Sequence, residues 1–160
     1  MTVSVRPARK SDAASIARLM SQLGYEVSPL DAGARLERIS AKPEHRFLVA
    51  EFDGSVVGWI HASLSEHLDS ETCVLIEGLV VDRRQRRAGI GKQLLTEVEA
   101  WARATGCAMV RLRSTDARSE AHKFYEHLGY RKIKTQFSFA KAVDPDRGDV
   151  LDRLVPRVEQ

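Results

Sequence analysis

Residues 79–95 read Leu-Val-Val-Asp-Arg-Arg-Gln-Arg-Arg-Ala-Gly-Ile-Gly-Lys-Gln-Leu-Leu, and this stretch decides the fold that the sequence predicts. An apolar run ends at Asp82, a basic turn follows, and Gly89 and Gly91 introduce an amphipathic helix. The first N–H groups of a helix have no partners within it, and the helix dipole places partial positive charge there. Glycines let a ligand approach the bare backbone, and arginines add positive charge around it. This order therefore predicts a site for a phosphate or a pyrophosphate.

Two better-known phosphate-binding fingerprints do not fit these glycines. A Walker A loop requires G-x-x-x-x-G-K-[ST], but Arg86 stands where its first glycine is needed, and Gln93 follows the Gly-Lys pair. The dinucleotide fingerprint G-x-G-x-x-G requires a third glycine where this chain has Leu94. What remains is R-x-x-G-x-G over residues 86–91. On this stretch alone, a basic solvated turn with a flexible helix start remains an alternative.

The composition restricts the class of protein. A chain of 160 residues, 43% hydrophobic and 29% charged, fits one soluble domain with a real core. No apolar run approaches the roughly 20 residues of a membrane span, and the start has no hydrophobic signal region, so we expect a cytoplasmic protein without a membrane partner. Cys73 and Cys107 lack metal or redox spacing and are predicted to be reduced core thiols, without a metal site. A net charge of +3 does not by itself imply nucleic acid.

The pattern of apolar residues predicts a strand, two helices, three strands, a helix, a strand, a helix and two strands. Asp53-Gly54 indicates a tight hairpin, because a type I′ turn needs positive φ at both central residues. Residues 73–81 form an apolar run that predicts a central strand, in which Gly78 is a candidate bulge. Residues 130–134 and 136–140 are predicted to be a final pair of strands.

This order of elements predicts the fold class. Hairpins in the first half imply antiparallel pairing, and helical crossovers in the second half imply neighbouring parallel strands. We therefore expect an α/β (α+β) fold with a central mixed, mostly antiparallel sheet of about seven strands and helices on both faces. Residues 1–142 are expected to form one domain. Residues 143–160 form a charged tail that is either a short helix or disordered.

A second motif follows the strand predicted at residues 109–113. Residues 124–130 read Phe-Tyr-Glu-His-Leu-Gly-Tyr, one strand after R-x-x-G-x-G. The two motifs together resemble the signatures of the GNAT superfamily of N-acetyltransferases, and the resemblance covers roughly residues 3–140. It implies the GNAT fold, with the sheet splayed between strands four and five. It also implies direct transfer of an acetyl group from acetyl-coenzyme A to a primary amine of a small molecule or a protein, in a ternary complex.

The resemblance also implies how the co-substrate acetyl-CoA is held, with no metal. The basic turn would bind its pyrophosphate, and the splayed strand would pair with pantetheine as with an added strand. The Val80 N–H could stabilise the oxyanion of the tetrahedral intermediate. Arg118 stands where many members carry Asn, and it could reach a phosphate or the adenine, or face solvent. The expected coenzyme-binding residues are Leu79, Val80, Val81, Arg86, Arg87, Ala88, Gly89, Ile90, Gly91, Lys92 and Arg118.

Two residues carry the chemistry that the resemblance implies. Tyr125 occupies the position of the family's general acid; the alternative is a core aromatic, because it lies in an apolar helical stripe. Glu77 is the leading candidate for the base that takes a proton from the ammonium form of the substrate, since it is the one charged residue in an apolar strand. The alternative is an outward-facing residue paired with an arginine. His61, His67 and His122 are alternative bases, or surface and sheet-edge histidines.

The substrate is expected in a cleft lined by residues 24–29, 65–72 and 132–136. An acidic rim on the first two segments would attract a cationic amine such as a polyamine, an aminoglycoside or a protein lysine, although surface loops are often acidic anyway. Its members are Glu26, Glu66, Asp69 and Glu71. Members of the family often dimerise through their C-terminal strands, so the resemblance adds a homodimer to the expectations.

Two other functions compete with an N-acetyltransferase. A non-catalytic acyl-CoA sensor would keep the basic turn but lack working acid–base groups, and the presence of Tyr125 argues against it. A nucleic-acid-binding module would use the arginines of residues 83–87. The sequence offers no aromatic platform beside them, and they suit a phosphate-rich coenzyme, so nucleic acid is not an expected partner.

Overall fold

The fold was analysed in a computed structural model that describes residues 2–157. Within this range, five strands form one sheet in the order β1-β2-β3-β4-β5. The first three neighbouring pairs are antiparallel and the β4–β5 pair is parallel, so the predicted mixed, mostly antiparallel sheet is confirmed. The strands are β1 Ser4–Pro7, β2 His45–Phe52, β3 Ser55–Ser65, β4 Cys73–Val81 and β5 Val110–Leu112.

Four α-helices cover the two faces of the sheet. They are α1 Ala13–Ser21, α2 Pro29–Ser40, α3 Ile90–Ala104 and α4 Ser119–His127. The start of α2 follows its sequence, because the Ser28 Oγ accepts a hydrogen bond from the Asp31 N–H at 3.1 Å and Pro29 is the first helical residue. No helix within residues 2–157 is both long enough and apolar enough to cross a membrane.

Each face of the sheet carries its own hydrophobic cluster. On the face covered by α1 and α2, Leu19 and Leu36 pack against Trp59 and Val80. On the face covered by α3 and α4, the buried cluster includes Ile60, Ile76, Ile90, Leu94, Leu95 and Val98. Partly buried residues of α4, Tyr125 among them, pack against this second cluster. The predicted placement of helices on both faces is therefore confirmed.

The hairpin between β2 and β3 has the predicted turn. Asp53 has φ 51° and Gly54 has φ 72°, so both central residues lie in the left-handed region that a type I′ turn requires. This turn sets the start of the β2–β3 ladder, which reaches His61 and Ser63 on β3.

A bulge interrupts β4, one residue from its predicted position. His61 of β3 lies opposite Gly78, and Ala62 lies opposite Ile76, so Glu77 has no residue opposite it. A bulge adds one residue to a strand and shifts which residues point to each face. Glu77 is therefore the extra residue, rather than the adjacent Gly78. Both residues are directed to the face covered by α1 and α2.

The sheet opens beyond the bulge. In the described part of the chain, β5 pairs with β4 from Val74 to Ile76 and no further. The β4 edge from Glu77 to Val81 therefore has no strand beside it on the β5 side. The predicted splay between strands four and five is confirmed.

The two final strands that the sequence predicts are absent from the described structure. Residues 131–144 have no regular secondary structure, which gives five strands in the described part of the chain instead of about seven. Alternating apolar residues favour a strand, but a strand also needs a hydrogen-bonded neighbour, and this segment runs exposed instead of lying beside β5. Ile133, Phe137, Phe139 and Val143 consequently remain 66–92% exposed.

The tail is neither a continuous helix nor detached from the rest of the chain. It contains two short 3-10 turns, Pro145–Arg147 and Asp152–Leu154. The Arg157 N–H then donates to the Gly24 carbonyl at 2.8 Å, which returns the tail to the loop between α1 and α2. The sequence predicted either a short helix or disorder for residues 143–160. The structure instead has two short turns in this segment up to residue 157. Residues 158–160 lie outside the described part.

A substitution of Gly78 tests the packing at the bulge. A Cβ on Gly78 would lie 2.8 Å from the Cζ3 atom of Trp59, so we expect Gly78→Ala to lower the free energy of unfolding by about 1–3 kcal/mol. A Cβ on Gly33, inside α2, would lie an ordinary 3.5 Å from the Cβ of Ala13. Gly33→Ala should therefore be neutral or raise the stability by up to about 1 kcal/mol. Urea denaturation measures both; equal stability of the two variants would contradict this packing.

Candidate functional site

The turn before α3 exposes main-chain donors. The first α-helical hydrogen bond of α3 runs from the Gln93 N–H to the Gly89 carbonyl at 3.0 Å, so the preceding N–H groups have no acceptor within the helix. Gly89 is the N-cap residue with φ 79°, and a Cβ placed on it would meet nothing within 4 Å. Arg87 also has a positive φ, 69°. The turn therefore presents free amides to an open space, which suits a pyrophosphate.

Gly91, the second glycine of the motif, has a packing role. A Cβ on Gly91 would lie 2.9 Å from the Cζ atom of Phe124, so the absence of a side chain lets α4 approach α3. Phe124 in turn contacts Tyr125 edge-on, with ring centroids 5.2 Å apart. The two sequence motifs are thus joined by a direct contact.

A buried carboxylate anchors the start of the turn. The Asp82 side chain accepts hydrogen bonds from the Arg18 side chain at 3.0 Å and from the Arg84 N–H at 3.1 Å. Burial acts to raise the pKa of Asp82, but these hydrogen bonds outweigh it and hold the pKa below its usual value. Asp82 therefore stays ionised at neutral pH and ties the turn to α1.

Main-chain directions show that Val80 faces β3. The Asp82 N–H donates to the Val57 carbonyl of β3 at 2.8 Å. The Val80 carbonyl oxygen lies 3.0 Å from the place that a Cβ on Gly58 of β3 would occupy. Successive residues of a strand direct their N–H and C=O groups to opposite edges, so Val80 and Asp82, two positions apart, share one direction. The predicted role of the Val80 main chain toward the oxyanion and pantetheine is therefore wrong.

Leu79 and Val81 face the opening instead. The same alternation directs their N–H and C=O groups to the β5 side of β4, where the ladder has ended. The Arg86 Nε donates to the Val81 carbonyl at 3.4 Å, which agrees with this direction. The free edge of β4 thus leads toward the basic turn.

Glu77 lies at the bulge in a polar environment. Its side chain is 32% exposed, and its Oε1 accepts a hydrogen bond from the Ser63 Oγ at 2.9 Å. Its Oε2 lies 3.6 Å from the Arg113 Nη2, so the arginine pairing considered from the sequence is present. The carboxylate is therefore held by two polar partners and remains partly exposed to solvent.

A second histidine joins His61 next to this carboxylate. The His61 Nε2 lies 2.9 Å from the His45 Nδ1, and the two rings stack with centroids 5.1 Å apart. Burial, and next the neighbouring His45, lower the pKa of His61 to about 4, while Glu77 acts in the opposite direction. The sequence gave no reason to single out His45, because its closeness to His61 arises from the β2–β3 register.

The other two candidate bases have different surroundings. His67 is exposed, and its Nε2 lies 2.9 Å from the Ser65 Oγ. The His122 Nε2 lies 2.8 Å from the Thr115 carbonyl oxygen on the opposite side of the sheet, so this ring nitrogen donates. Neither histidine belongs to the group formed by Glu77 and His61.

Tyr125 lies on the other face of the sheet. It lies on α4 and packs edge-on against Phe124 and Tyr130. Burial raises the pKa of its hydroxyl, and Arg118 opposes this shift only in part. The hydroxyl is therefore protonated at neutral pH, as a general acid must be. Tyr125 also packs against the core, so the two interpretations from the sequence are compatible.

Glu77 and Tyr125 lie on opposite faces of the sheet. Glu77 lies on the face covered by α1 and α2, and Tyr125 packs on the face covered by α3 and α4. Within residues 2–157, no group of three or more His, Cys, Asp or Glu side chains could hold a metal ion.

Comparison with known proteins agrees with this geometry. Residues 13–130 match the profile of the acetyltransferase (GNAT) family. Aminoglycoside N(6')-acetyltransferase type 1 of Serratia marcescens is 25% identical over 72% of this chain and 83% of its own length. Aminoalkylphosphonate N-acetyltransferase of Salmonella typhimurium is 34% identical over 63% of this chain and 65% of its own length.

Solved structures support the same fold. The structure of AAC(6')-Iy in complex with a bisubstrate analogue, CoA-S-monomethyl-acetylneamine, has a TM-score of 0.78 and 23% sequence identity. The match covers 89% of this chain and 99% of that chain, and at this identity it shows the fold alone. Because the family profile spans well over half of the sequence, the chain belongs to the GNAT acetyltransferase family and is an acetyl-CoA-dependent N-acetyltransferase.

Proposed function

We propose that the enzyme acetylates a primary amine by direct transfer, with the amine and acetyl-CoA bound together in the opening between β4 and β5. The observation that carries this proposal is the free edge of β4 from Glu77 to Val81, which leads to the exposed amides of the α3 turn. The β4 edge could bind the extended thioester arm of the coenzyme, and the turn at its end could bind the coenzyme phosphates. Named N-acetyltransferases among the relatives favour an enzyme over a non-catalytic sensor.

The coenzyme would lie along the free β4 edge and the turn before α3. Leu79 and Val81 would pair with pantetheine through their free main-chain groups. Main-chain N–H groups of the turn would hold the pyrophosphate, with arginine side chains adding charge; these residues are Arg86, Arg87, Ala88, Gly89, Ile90, Gly91 and Lys92. Arg118 lies at the start of α4 and would contact a phosphate or the adenine.

Glu77 and Tyr125 would divide the proton transfers. Glu77 takes a proton from the substrate ammonium group, directly or through a water, and the freed nitrogen lone pair attacks the thioester carbonyl. The carbon–sulfur bond then breaks, and Tyr125 donates its proton to the leaving thiolate. The second proton that the nitrogen loses on becoming an amide returns to the Tyr125 oxygen, so that each turnover leaves one proton on Glu77. Direct transfer is favoured because Cys73 and Cys107 are both buried, and burial raises the pKa of Cys73. A buried, protonated thiol is poorly suited to form an acyl-enzyme.

The acceptor would be a small amine that carries further positive charge. The rim of the cleft contains exposed acidic side chains, namely Glu26, Glu66, Asp69 and Glu71. Glu77 adds a carboxylate at the centre, and such an arrangement attracts cations. The names of the aminoglycoside N(6')-acetyltransferases among the relatives support this class of substrate. We also place the enzyme in the cytoplasm, with neither nucleic acid nor a membrane as partner, and treat residues 1–142 as its catalytic domain.

The exposed segment 131–143 supports a homodimer. It contains four exposed apolar side chains, those of Ile133, Phe137, Phe139 and Val143. Two phenylalanines bury about 300–500 Å² together, and the isoleucine and the valine add to this area, against the roughly 800 Å² that each partner contributes to a standard interface. A second copy of the chain would cover these four side chains.

Replacing the two phenylalanines tests the dimer. We expect the wild-type enzyme to sediment as a dimer at micromolar concentration and the double variant Phe137→Ser, Phe139→Ser to sediment as a monomer. Leu68→Ser removes an equally exposed apolar residue from the acidic loop and should leave the dimer intact. A wild-type monomer in sedimentation equilibrium would contradict the proposal.

Substitution of the acid and the base tests the proposed chemistry. Tyr125→Phe and Glu77→Gln should each lower kcat by about 10²-fold or more, because each removes a proton-transfer group, while the KM for acetyl-CoA changes little. Thiol release from acetyl-CoA with aminoglycosides, polyamines and lysine peptides measures both constants. Tyr130→Phe is the control, because the buried Tyr130 hydroxyl has no hydrogen-bond partner in the described structure. Equal kcat values for Tyr125→Phe and Tyr130→Phe would exclude the acid role.

Two glycines at opposite ends of α3 test the pyrophosphate turn. Gly89 and Gly106 have φ values of 79° and 81°, and a Cβ on either would meet nothing within 4 Å. Alanine should therefore strain both positions equally, by about 1–2 kcal/mol. Only Gly89→Ala places a methyl group where the coenzyme would lie, so we expect at least a tenfold rise in its dissociation constant for coenzyme A by calorimetry. Equal affinities of the two variants would argue against this turn as the binding site.

A further inference from the structure

The ion pair between Glu77 and Arg113 lies where β4 and β5 separate. The last pair in the β4–β5 ladder is Ile76 with Leu112, so Glu77 and Arg113 are the next residue along each chain. The Glu77 Oε2 lies 3.6 Å from the Arg113 Nη2. This ion pair therefore spans the start of the opening, beside the free edge of β4.

The two carboxylate oxygens of Glu77 have partners of different kinds. Oε1 accepts the hydrogen bond of the Ser63 Oγ at 2.9 Å, and Ser63 is buried. Oε2 faces Arg113, whose side chain is 71% exposed, at a distance longer than that of a direct charge-assisted hydrogen bond. An exposed ion pair of this kind contributes little free energy. Oε1 is thus held from within the sheet, whereas Oε2 has a cationic partner that another cation can replace.

The proposed chemistry brings a second cation to this carboxylate. The ammonium form of the acceptor must come within hydrogen-bond distance of Glu77 before it gives up a proton. Among residues 2–157, Arg113 supplies the one cation paired with Glu77. His61, which lies beside the bulge, is uncharged at neutral pH because burial lowers its pKa to about 4. Two cations at one oxygen repel each other, so the substrate ammonium and the Arg113 guanidinium are alternatives at Oε2.

We propose that Arg113 of the free enzyme occupies the place at the Glu77 Oε2 that the acceptor ammonium group takes in the ternary complex, an inference that rests on the proposed function. The exposed arginine side chain moves aside when the acceptor binds. It returns after transfer, because the amide nitrogen of the product carries no charge. Arg113 is thus a specificity-determining residue: it disfavours amines that bind weakly, whereas an acceptor with further positive charge gains from the acidic rim and replaces the guanidinium.

Substitution of Arg113 tests this exchange of cations. The acceptor is the aminoglycoside or polyamine that the wild-type enzyme acetylates fastest. Arg113→Gln should lower its KM by about three- to fivefold, because no ion pair has to be broken, with kcat unchanged within about twofold. Arg113→Lys keeps a cation and should have a KM near the wild-type value. Arg103→Gln removes an exposed arginine at the end of α3 and is the control for net charge.

Free guanidinium distinguishes occupation of this place from a general effect of charge. In Arg113→Gln, guanidinium chloride at millimolar concentration should raise the KM for the acceptor back toward the wild-type value, because the free ion takes the vacant place at Glu77. Sodium chloride at the same ionic strength should not do so. The wild type and Arg103→Gln should respond alike to the two salts.

The outcomes separate the exchange from the proposed function. A lower kcat of Arg113→Gln at unchanged KM would make Arg113 a positioning residue for the base and would overturn the exchange. An unchanged KM, or a lower KM that guanidinium does not reverse, would also overturn it and leave the acetyltransferase mechanism standing. Absence of thiol release by the wild-type enzyme with an aminoglycoside, a polyamine and a lysine peptide would overturn the proposed substrate class, and the exchange with it.

Discussion

The loss of the β4–β5 ladder after Ile76 is the constraint on which the rest of the site depends. An unpaired strand edge inside a sheet exposes main-chain donors and acceptors that need partners. In this protein the edge begins at the Glu77 bulge and ends near the basic turn before α3. It therefore offers an extended ligand the hydrogen bonds that another strand would otherwise take. In the proposed mechanism, the same gap would let Glu77 and Tyr125 act on one reacting centre from opposite faces of the sheet.

Packing around the bulge keeps this edge in place. The Trp59 ring covers Gly78, where a side chain would clash, and Ser63 holds the Glu77 carboxylate. At the other end of the edge, Asp82 ties the turn to α1 through Arg18. Both ends of the open edge are thus held by side-chain contacts with neighbouring elements.

Much of the fold can be predicted from short stretches of sequence, because turns and helix starts depend on a few adjacent residues. The Asp53-Gly54 turn and the capped start of α2 depend on a few adjacent residues, and the structure has both as predicted. The R-x-x-G-x-G motif fixed the position of the α3 turn for the same reason. The direction of Val80 could not be predicted, because it depends on which residue of β4 is the extra one in the bulge. The position of the extra residue is set by the pairing of β4 with β3, and the pattern of apolar residues does not reveal it.

Other features depend on residues that are distant in sequence. Residues 131–143 have the alternation of a strand, but the pattern does not report whether a neighbouring strand is available. His45 is separated from His61 by a hairpin, and Gly91 from Phe124 by a strand, so only the assembled sheet reveals these contacts. Motif reasoning assigned both glycines of the turn to coenzyme binding, and the structure adds a packing role for Gly91 against α4.

Residue-resolved amide hydrogen exchange with and without saturating coenzyme A tests the open β4 edge most directly. If pantetheine pairs with this edge, the exchange of the Leu79 and Val81 N–H groups should slow by at least tenfold on binding. The Val80 N–H should change much less, because it already faces β3. Equal protection of all three amides, or no protection of Leu79 and Val81 at saturating coenzyme, would contradict the claim that the coenzyme takes the place of a neighbouring strand.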